Sequence, residues 1–456
     1  MKIIIVGAGT VGFNLAVHLM HKKHTIAIIE QDPGLCDEIK NKLDVFMVAG
    51  IGSSPAALEQ AGINSADMII AVTPIDEINL LACHFAMQRG VAKRIARVKS
   101  DIYTTQSSGV DLEKLGVTSI IEPEKEVVAK IMQYVELPGL IETANFQADS
   151  IYLRSYRITE DMPIANKTLV DINRMSEDSP LLVVVIVRDR ESIPPRGNEI
   201  LRPGDEIAVV MPKSSFRSFR SLINRKETKM KKIVISGDSL TAIRLAEALK
   251  DVCESCILLD PSYEHGQIAA AQLNGVEVFH GDATSSDTQQ EIHIESADCF
   301  IAAGNDAEDN IMASLLAKEA GTGMVIAMRN DDRCSDLFHS LGIDCIINPS
   351  DVTLTMIIEK IDLVPIGTYL KLKTSEIEII RVKAQKNSSV IAKSIGCLDG
   401  LFNKAVTIGC IIRNNDVIIP SGKTVIEEDD EVIILCHRKY AKVVYKHFNR
   451  ASIRPF

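Results

Sequence analysis

Met1-Lys-Ile-Ile-Ile-Val-Gly7-Ala8-Gly9-Thr10-Val11-Gly12 opens the chain, and an acid, Glu30, closes the next apolar run. An apolar strand that runs into Gly-x-Gly-x-x-Gly and then into a helical pattern reads as the nucleotide turn of a Rossmann unit. In such a turn Gly7 permits the tight bend, Gly9 lets backbone approach a phosphate, and Gly12 allows close helix–strand packing. The phosphates would rest on the open amides of the helix N-terminus. Glu30 follows Gly7 by 23 residues, where it can accept a ribose 2′-hydroxyl while its charge disfavours the 2′-phosphate of NADP. NAD(H), ATP, ADP and AMP all carry that ribose, so Glu30 does not separate them.

The pattern recurs in weakened form. Lys232-Ile-Val-Ile-Ser-Gly237-Asp238-Ser239-Leu240-Thr241-Ala242 is followed by Asp260, again 23 residues after the first glycine. Ser239 stands where the close-approach glycine should be, and Ala242 is a tolerated replacement for the last one. Asp238 adds a carboxylate beside the expected pyrophosphate, a like-charge contact of about 3 kcal/mol at ~5 Å and an effective dielectric near ~20. The second turn therefore reads in two ways: a structural remnant, or a site for a group with less phosphate charge, such as an adenosine moiety.

The repeat extends through most of the chain. Ser65-Ala66-Asp67 and Asp76-Glu77-x-Asn79 find Ser296-Ala297-Asp298 and Ala307-Glu308-x-Asn310 at an offset of 231. Leu115-Gly116 finds Leu341-Gly342 at 226, so a five-residue difference falls around Tyr103 to Val110. Ile186-Val-Arg188 and Gly204-Asp205-Glu206 find Ile411-Ile-Arg413 and Asp429-Asp430-Glu431 at 225. Each repeat is thus composite: an α/β part, then a smaller part of short β-type runs with Gly and Pro turns. The expected boundaries are 1–140, 141–228, 229–366 and 367–456.

Strand-like runs at Ile3–Val6, Ile26–Ile29, Val45–Val48, Met68–Val72, Ile95–Val98 and Ser119–Ile121 alternate with helical patterns such as Val11 to Lys22 and Asn79 to Arg89. That rhythm predicts an α/β fold with two doubly wound parallel sheets. The pattern from Glu124 to Val135, stopped by Leu137-Pro138-Gly139, predicts a helix, a sharp turn and a second helix before a small α+β domain. The same break recurs near Val364-Pro365-Ile366-Gly367, and both breaks are candidate hinges. In the first unit Thr73 and Pro74 end the fourth strand, where ligands lie in such sheets. Arg97 and Lys99 end the fifth, on one face and well placed for phosphate charge. Their counterparts in the second unit are Met328 and Asn330.

Composition narrows the function. The 456 residues are 46% hydrophobic and 24% charged with a net charge of −11, and no long basic tract suggests nucleic acid. The longest unbroken apolar run, Leu181 to Val187, is seven residues. That is far short of the roughly 20 a membrane helix needs. With no signal-peptide pattern after Met1, a cytoplasmic location is expected. The basic stretch Arg217 to Lys232 reads as a solvated helix end and linker, with anionic lipid or an acidic partner as the alternative. Ten cysteines are scattered, mostly inside apolar runs. The single CxxC, Cys253-Glu-Ser-Cys256, sits near the end of a helical pattern without a second ligand pair, so neither zinc nor redox chemistry is expected. Hydride transfer needs an acid/base group from a second domain. Segment 151–212 has no His, and segment 375–456 offers only His437 and His447 without an evident partner. A binding protein is favoured over the alternative, an NAD-dependent oxidoreductase.

Taken together, the chain resembles the regulators of potassium conductance, also called KTN domains, in their duplicated form. The residues that carry the resemblance are Met1 to Gly12, Ala66-Asp67, Val72-Thr73 with Asp76-Glu77-x-Asn79, and Arg94-Ile-Ala-Arg97. In the second half they are Gly281-Asp282-Ala283, Asn305-Asp306 through Asn310, and Asn348-Pro349. The small domains join through Arg202-Pro-Gly-Asp-Glu206 and Glu428-Asp-Asp-Glu-Val432. The resemblance implies a non-enzymatic, peripheral cytoplasmic subunit that binds NAD(H) or ATP/ADP. It also implies a homo-oligomeric ring, expected to be a tetramer, that gates an integral membrane potassium-translocating subunit (TrkH/TrkG-like). Carried over, the first site is Gly7 to Gly12 with Glu30, Thr73, Pro74 and Arg97. The second is Gly237, Asp238, Ser239, Leu240 and Thr241 with Asp260, and no metal is implied.

Overall fold

The opening apolar run is strand β1 (Lys2–Val6), with its last four residues buried. A computed structural model describes the chain except residues 22–23, 106–108, 147–149, 177–178, 190, 194, 225–229, 330–340, 362–366, 372–376, 387, 403–405, 415 and 449–456. With β2 (Thr25–Glu30), β3 (Phe46–Ala49), β4 (Met68–Ala71), β5 (Lys93–Arg97) and β6 (Ser119–Ile121), β1 forms a parallel sheet of order β3-β2-β1-β4-β5-β6. Near-continuous burial along β1, β2 and β4 is what a strand covered by helices on both faces requires. The helices are α1 (Thr10–His21), α2 (Pro33–Lys42), α3 (Pro55–Gln60), α4 (Asp76–Gln88), α5 (Asp101–Thr104) and α6 (Pro123–Glu136). Local chemistry sets their starts: Asp32 accepts the Gly34 and Leu35 amides at the head of α2, with Pro33 pre-shaped for the first turn.

The expected second helix after Leu137-Pro138-Gly139 is instead a strand, β7 (Leu140–Phe146). Gly139 turns the chain at φ +88°, and β7 then pairs antiparallel with β8 (Ile151–Arg157) from Leu140↔Tyr156 to Phe146↔Ile151. A partner strand close by in sequence overrides the local helical reading. β9 (Leu182–Arg188), β10 (Glu191–Ile193) and β11 (Glu206–Pro212) complete a sheet of order β10-β9-β11-β8-β7, with helices α7 (Leu169–Met175) and α8 (Phe216–Leu222) beside it in the sequence.

The second repeat follows the same plan. β12 (Met230–Ser236), β13 (Cys253–Asp260), β14 (Glu277–His280), β15 (Cys299–Ala302), β16 (Met324–Met328) and β17 (Cys345–Ile347) give the parallel order β14-β13-β12-β15-β16-β17. Its helices include α9 (Leu240–Leu249), α10 (Tyr263–Gln272), α11 (Ser286–Glu291), α12 (Ala307–Ala320) and a helix over Pro349–Ile361. Cys253 opens β13 instead of closing a helix, because α9 already ends at Leu249. The Cys253 thiol beside it and burial push the Cys256 thiol up, which marks an inert core pair. β18 (Gly367–Lys371), β19 (Ile377–Lys383), β20 (Val406–Arg413), β21 (Asp416–Ile418) and β22 (Glu431–His437) form the last sheet, of order β18-β19-β22-β20-β21. The second candidate hinge, Val364 to Ile366, lies outside the described residues, and a strand, β18, follows it where a helix was expected.

Two compact units result: Met1–Met132 with Met230–Ile361, and Gln133–Lys229 with Asp362–Phe456. In the first, alternate residues of β1 serve opposite faces. Ile4 and Val6 join the core under α4, while Ile3 and Ile5 join one shared with α1. That second core is completed by Ile357 and Ile361 from the other repeat, and the Lys93 ammonium donates to the Ile361 carbonyl at 3.2 Å. In the second unit, both antiparallel sheets feed one core through Leu153, Val185 and Val210 with Ile379, Cys410 and Leu435. Here the repeat marked by Arg188 and Asp205 is a buried lock. The Arg188 guanidinium donates to both Asp205 oxygens at 2.7 Å, and Arg413 donates to both Asp430 oxygens at 2.8 Å. Among the described residues no helix is long and apolar enough to cross a membrane.

Candidate functional site

Strand register gathers the sequence candidates of the first lobe at one edge. Val6 lies beside Ile29 and Ala71, and Ala71 beside Ala96, so Gly7, Glu30, Thr73 and Arg97 all emerge at the C-terminal end of the sheet. The strand order reverses direction between β1 and β4, the crevice where open α/β sheets take ligands. Gly7 turns at φ +98° and donates its amide to the Ile29 carbonyl at 2.9 Å. A Cβ on Gly12 would lie 2.0 Å from the Gly7 carbonyl oxygen, so the turn and α1 close only on glycine. Gly9 and Thr10 are exposed, and a Cβ on Gly9 would meet nothing within 4 Å. The first hydrogen bond of α1 runs from the Phe13 amide to the Gly9 carbonyl at 2.9 Å. The amides of Thr10, Val11 and Gly12 therefore have no acceptor within their own helix.

Glu30 is half-buried at the end of β2. It accepts the Ala8 amide at 2.8 Å on one oxygen, and the Gln31 and Asp32 amides at 2.8 and 3.0 Å on the other. This fixes the carboxylate against the glycine turn and leaves lone-pair capacity for a hydroxyl donor. On the opposite side of the crevice, Thr73 lies against Gly7, whose Cβ position is 3.1 Å from the Thr73 nitrogen, and Pro74 is exposed. Asn79, fully buried in α4, holds this loop. Its Oδ1 accepts the Thr73 amide at 3.0 Å and the Thr73 hydroxyl at 2.7 Å. Its Nδ2 donates to the Thr73 and Arg97 carbonyls, each at 2.9 Å. Asn79 has no chemical signature in the sequence beyond its place in the resemblance and its recurrence as Asn310, which binds Gly304 and the Met328 carbonyl in the same way.

Arg97 is not a solvated strand end. Its side chain is 18% exposed and lies 3.5 Å from Glu124 at the start of α6, a partner the sequence reading did not identify. The Arg97 Nε is buried without a hydrogen bond, so the guanidinium retains a donor. Lys99 is held by its backbone: the Lys99 and Ser100 amides donate to the Asp76 carboxylate at 2.8–3.1 Å.

The second turn is built differently. Ser239 caps α9: its hydroxyl oxygen accepts the Ala242 amide at 3.0 Å and donates to the Ala303 carbonyl. An amide left open in α1 is thus taken, and the turn is fastened to the loop after β15. Asn305 donates to Asp238 at 3.0 Å, a second tie across the same crevice. A Cβ on Gly237 would lie 2.4 Å from the Gly304 nitrogen, against 3.1 Å for the matching pair Gly7 and Thr73. Asp260 is fully buried, accepting the Ser262 amide at 2.8 Å and pairing with His265 on α10. Leu240 is exposed and Thr241 buried. His447, expected to lack a partner, lies 2.7 Å from the Ser389 hydroxyl through its Nδ1.

The TrkA-N domain model matches residues 3–123 and 233–349, and the TrkA-C domain model residues 153–224 and 379–449. The chain is similar to the Trk system potassium uptake protein TrkA of Halomonas elongata, 32% identical over 438 residues and 95% of each chain. It is 29% identical over 461 residues to the protein of the same name from Azorhizobium caulinodans, covering 100% of both. Among solved structures, the GsuK RCK domain superposes with a TM-score of 0.62 at 17% identity, over 98% of this chain and 94% of that one. The GsuK channel bound to NAD gives the same TM-score at 18% identity, over 98% of this chain and 78% of that one.

Proposed function

The chain belongs to the TrkA family of duplicated TrkA-N and TrkA-C domains, and from that premise we propose that it is a nucleotide-sensing regulatory subunit of a potassium uptake system. One observation carries the reading: an open helix start and an unobstructed Gly9 lie beside a fixed carboxylate, Glu30, at the sheet's switch point. A ligand with a ribose and a di- or triphosphate, NAD(H) or ATP/ADP, matches that donor set. Gly7 to Gly12 would take the phosphates, Glu30 the ribose, and Thr73, Pro74 and Arg97 the far wall. The Arg97 guanidinium, beside Glu124, would supply positive charge to a further phosphate oxygen.

The second turn, Gly237 to Thr241 with Asp260, is the weaker partner. Its crevice is spanned by Ser239 and Asp238, and its acid is engaged by His265. We assign it a structural role, with adenosine-type binding as the reading to be excluded.

Function follows from population shift. A homo-oligomeric ring, expected to be a tetramer on the cytoplasmic face, would have two arrangements, and the membrane-embedded potassium-translocating partner would conduct in one. A nucleotide moves that balance only through differential affinity, and a full switch needs about 10⁴-fold, or about 5.5 kcal/mol. The Leu137-Pro138-Gly139 turn is the proposed hinge. Calorimetric titration of the wild type and Gly9→Asp with ATP, ADP, NADH and NAD tests the site, and potassium flux with the membrane partner tests the consequence. Binding unaffected by Gly9→Asp would reject the assignment. Steady turnover of NADH with an added substrate would favour an oxidoreductase instead.

A further inference from the structure

The loop that follows β5 carries one contact that the nucleotide site does not explain. Arg244, one turn into α9 of the second lobe, donates to the Lys99 carbonyl at 2.9 Å and pairs with Asp101 at 2.8 Å. Its side chain is only 14% exposed. Both contacts fall two to four residues beyond Arg97, on a segment whose amides are already gripped by Asp76. Asp76 opens α4, which also carries Asn79, and Asn79 holds Thr73 and Arg97 at the crevice. The chain of contacts is therefore continuous: Thr73 and Arg97, Asn79, Asp76, the Lys99–Asp101 segment, Arg244 and α9. Its far end is the Ser239 cap that fastens the second turn.

Charge makes the contact more than a strut. Around the start of α6, Arg97, Lys125 and Arg244 face Glu122, Glu124 and Asp101, three cations against three carboxylates. Without Arg244, the cation left beside Asp101 among the described residues is Lys125 at 3.7 Å, which is shared with Glu122. The cluster would then carry an uncompensated negative charge next to the strand end where a polyphosphate is expected. The position is asymmetric between the repeats: the residue of α1 that matches Arg244 is Asn14.

We propose that Arg244 is a positioning residue, through which the second lobe sets the phosphate affinity of the first lobe's site and is itself informed of its occupancy. The eroded repeat thus keeps a function on its helix after losing its own turn. This inference rests on the nucleotide reading above, so the experiment starts with wild type, titrated calorimetrically with AMP, ADP and ATP and followed by hydrogen exchange. Nucleotide should slow exchange across Leu240–Leu249. In Arg244→Ala, ATP and ADP should bind about five- to tenfold more weakly while AMP changes least, and the protection of α9 should vanish. Arg244→Lys should restore the affinity in part, since an ammonium keeps the charge facing Asp101 but lacks the fixed fork of the guanidinium. Arg89→Ala, which breaks an exposed pair with Glu59, controls for charge and should leave all affinities unchanged. Wild-type affinities and wild-type α9 protection in Arg244→Ala would overturn the coupling alone. Equal weakening of AMP, ADP and ATP with a lower melting point would reduce Arg244 to a structural brace and also overturn it. No binding to wild type would overturn the nucleotide reading and this inference together.

Discussion

The Glu30 carboxylate accepts the Ala8 amide at 2.8 Å, so the acid proposed to read the ribose is fastened to the turn that would hold the phosphates. In the second lobe Asp260 instead accepts the Ser262 amide and pairs with His265. Glu30→Ala should therefore loosen both halves of the site. The expected result is at least about tenfold weaker NADH binding, the scale of one charge-assisted hydrogen bond. Discrimination against NADPH should shrink as well, because the repelling charge is gone. Parallel titrations with NADH and NADPH check this, and unchanged discrimination would remove Glu30 from the ribose.

The glycines of the first turn separate binding from folding. Gly9→Ala places a methyl group in open space at an ordinary φ, so the fold should melt as wild type while nucleotide affinity drops. Gly12→Ala drives its Cβ to 2.0 Å from the Gly7 carbonyl oxygen, an overpacking that should cost about 2 kcal/mol or more of stability. Thermal melts with and without ADP distinguish the two. Loss of stability in Gly9→Ala would mean that its backbone serves the fold as well.

Most of this architecture is legible in the sequence, for identifiable reasons. The central parallel strands of the first lobe are buried apolar runs, and the predicted and observed bounds of all six differ by two residues or fewer. β7 was not legible, because Leu140 to Phe146 becomes a strand only by pairing with β8, which no local pattern announces. Sequence reading singled out the glycines and acids as candidates but not the residues that support them. Glu124, Asn79, Arg244 and His265 act through distant partners, and a spacing rule cannot see a contact between residues 145 apart, such as Arg244 and Lys99.

Ser239 illustrates how a lost glycine was put to structural use. Ser239→Gly removes a helix cap and the hydrogen bond to Ala303, and should cost about 1 kcal/mol. It should not create a nucleotide site, since Asp238 still spans to Asn305 and Asp260 stays with His265. Calorimetry should find a lower melting point with no new binding stoichiometry. A second equivalent of bound nucleotide would mean that Ser239 alone closes the second crevice.

The Arg188–Asp205 lock of the first small domain sets an acid limit on stability. Burial alone would raise the Asp205 carboxyl, but hydrogen bonds from the Arg188 guanidinium and the Arg202 amide overcome it and hold the group below its usual range. Because its folded value is depressed, Asp205 contributes its full stability above the ordinary aspartate value near ~4 and loses it as pH falls through the lower folded value. Asp205→Asn leaves the half-buried Arg188 beside a neutral amide, with Glu199 at 3.3 Å as a remaining anion, and should cost about 3 kcal/mol at neutral pH. At neutral pH the Asp430→Asn variant should lose a similar amount, because Arg413 sits in the same fork with Glu427 beside it. Denaturant unfolding between neutral pH and pH ~3 separates the contributions: the gap between wild type and Asp205→Asn should narrow as the wild-type carboxylate takes up its proton. A gap that stayed constant down to the lowest pH would mean that the Asn variant loses packing, not the ion pair.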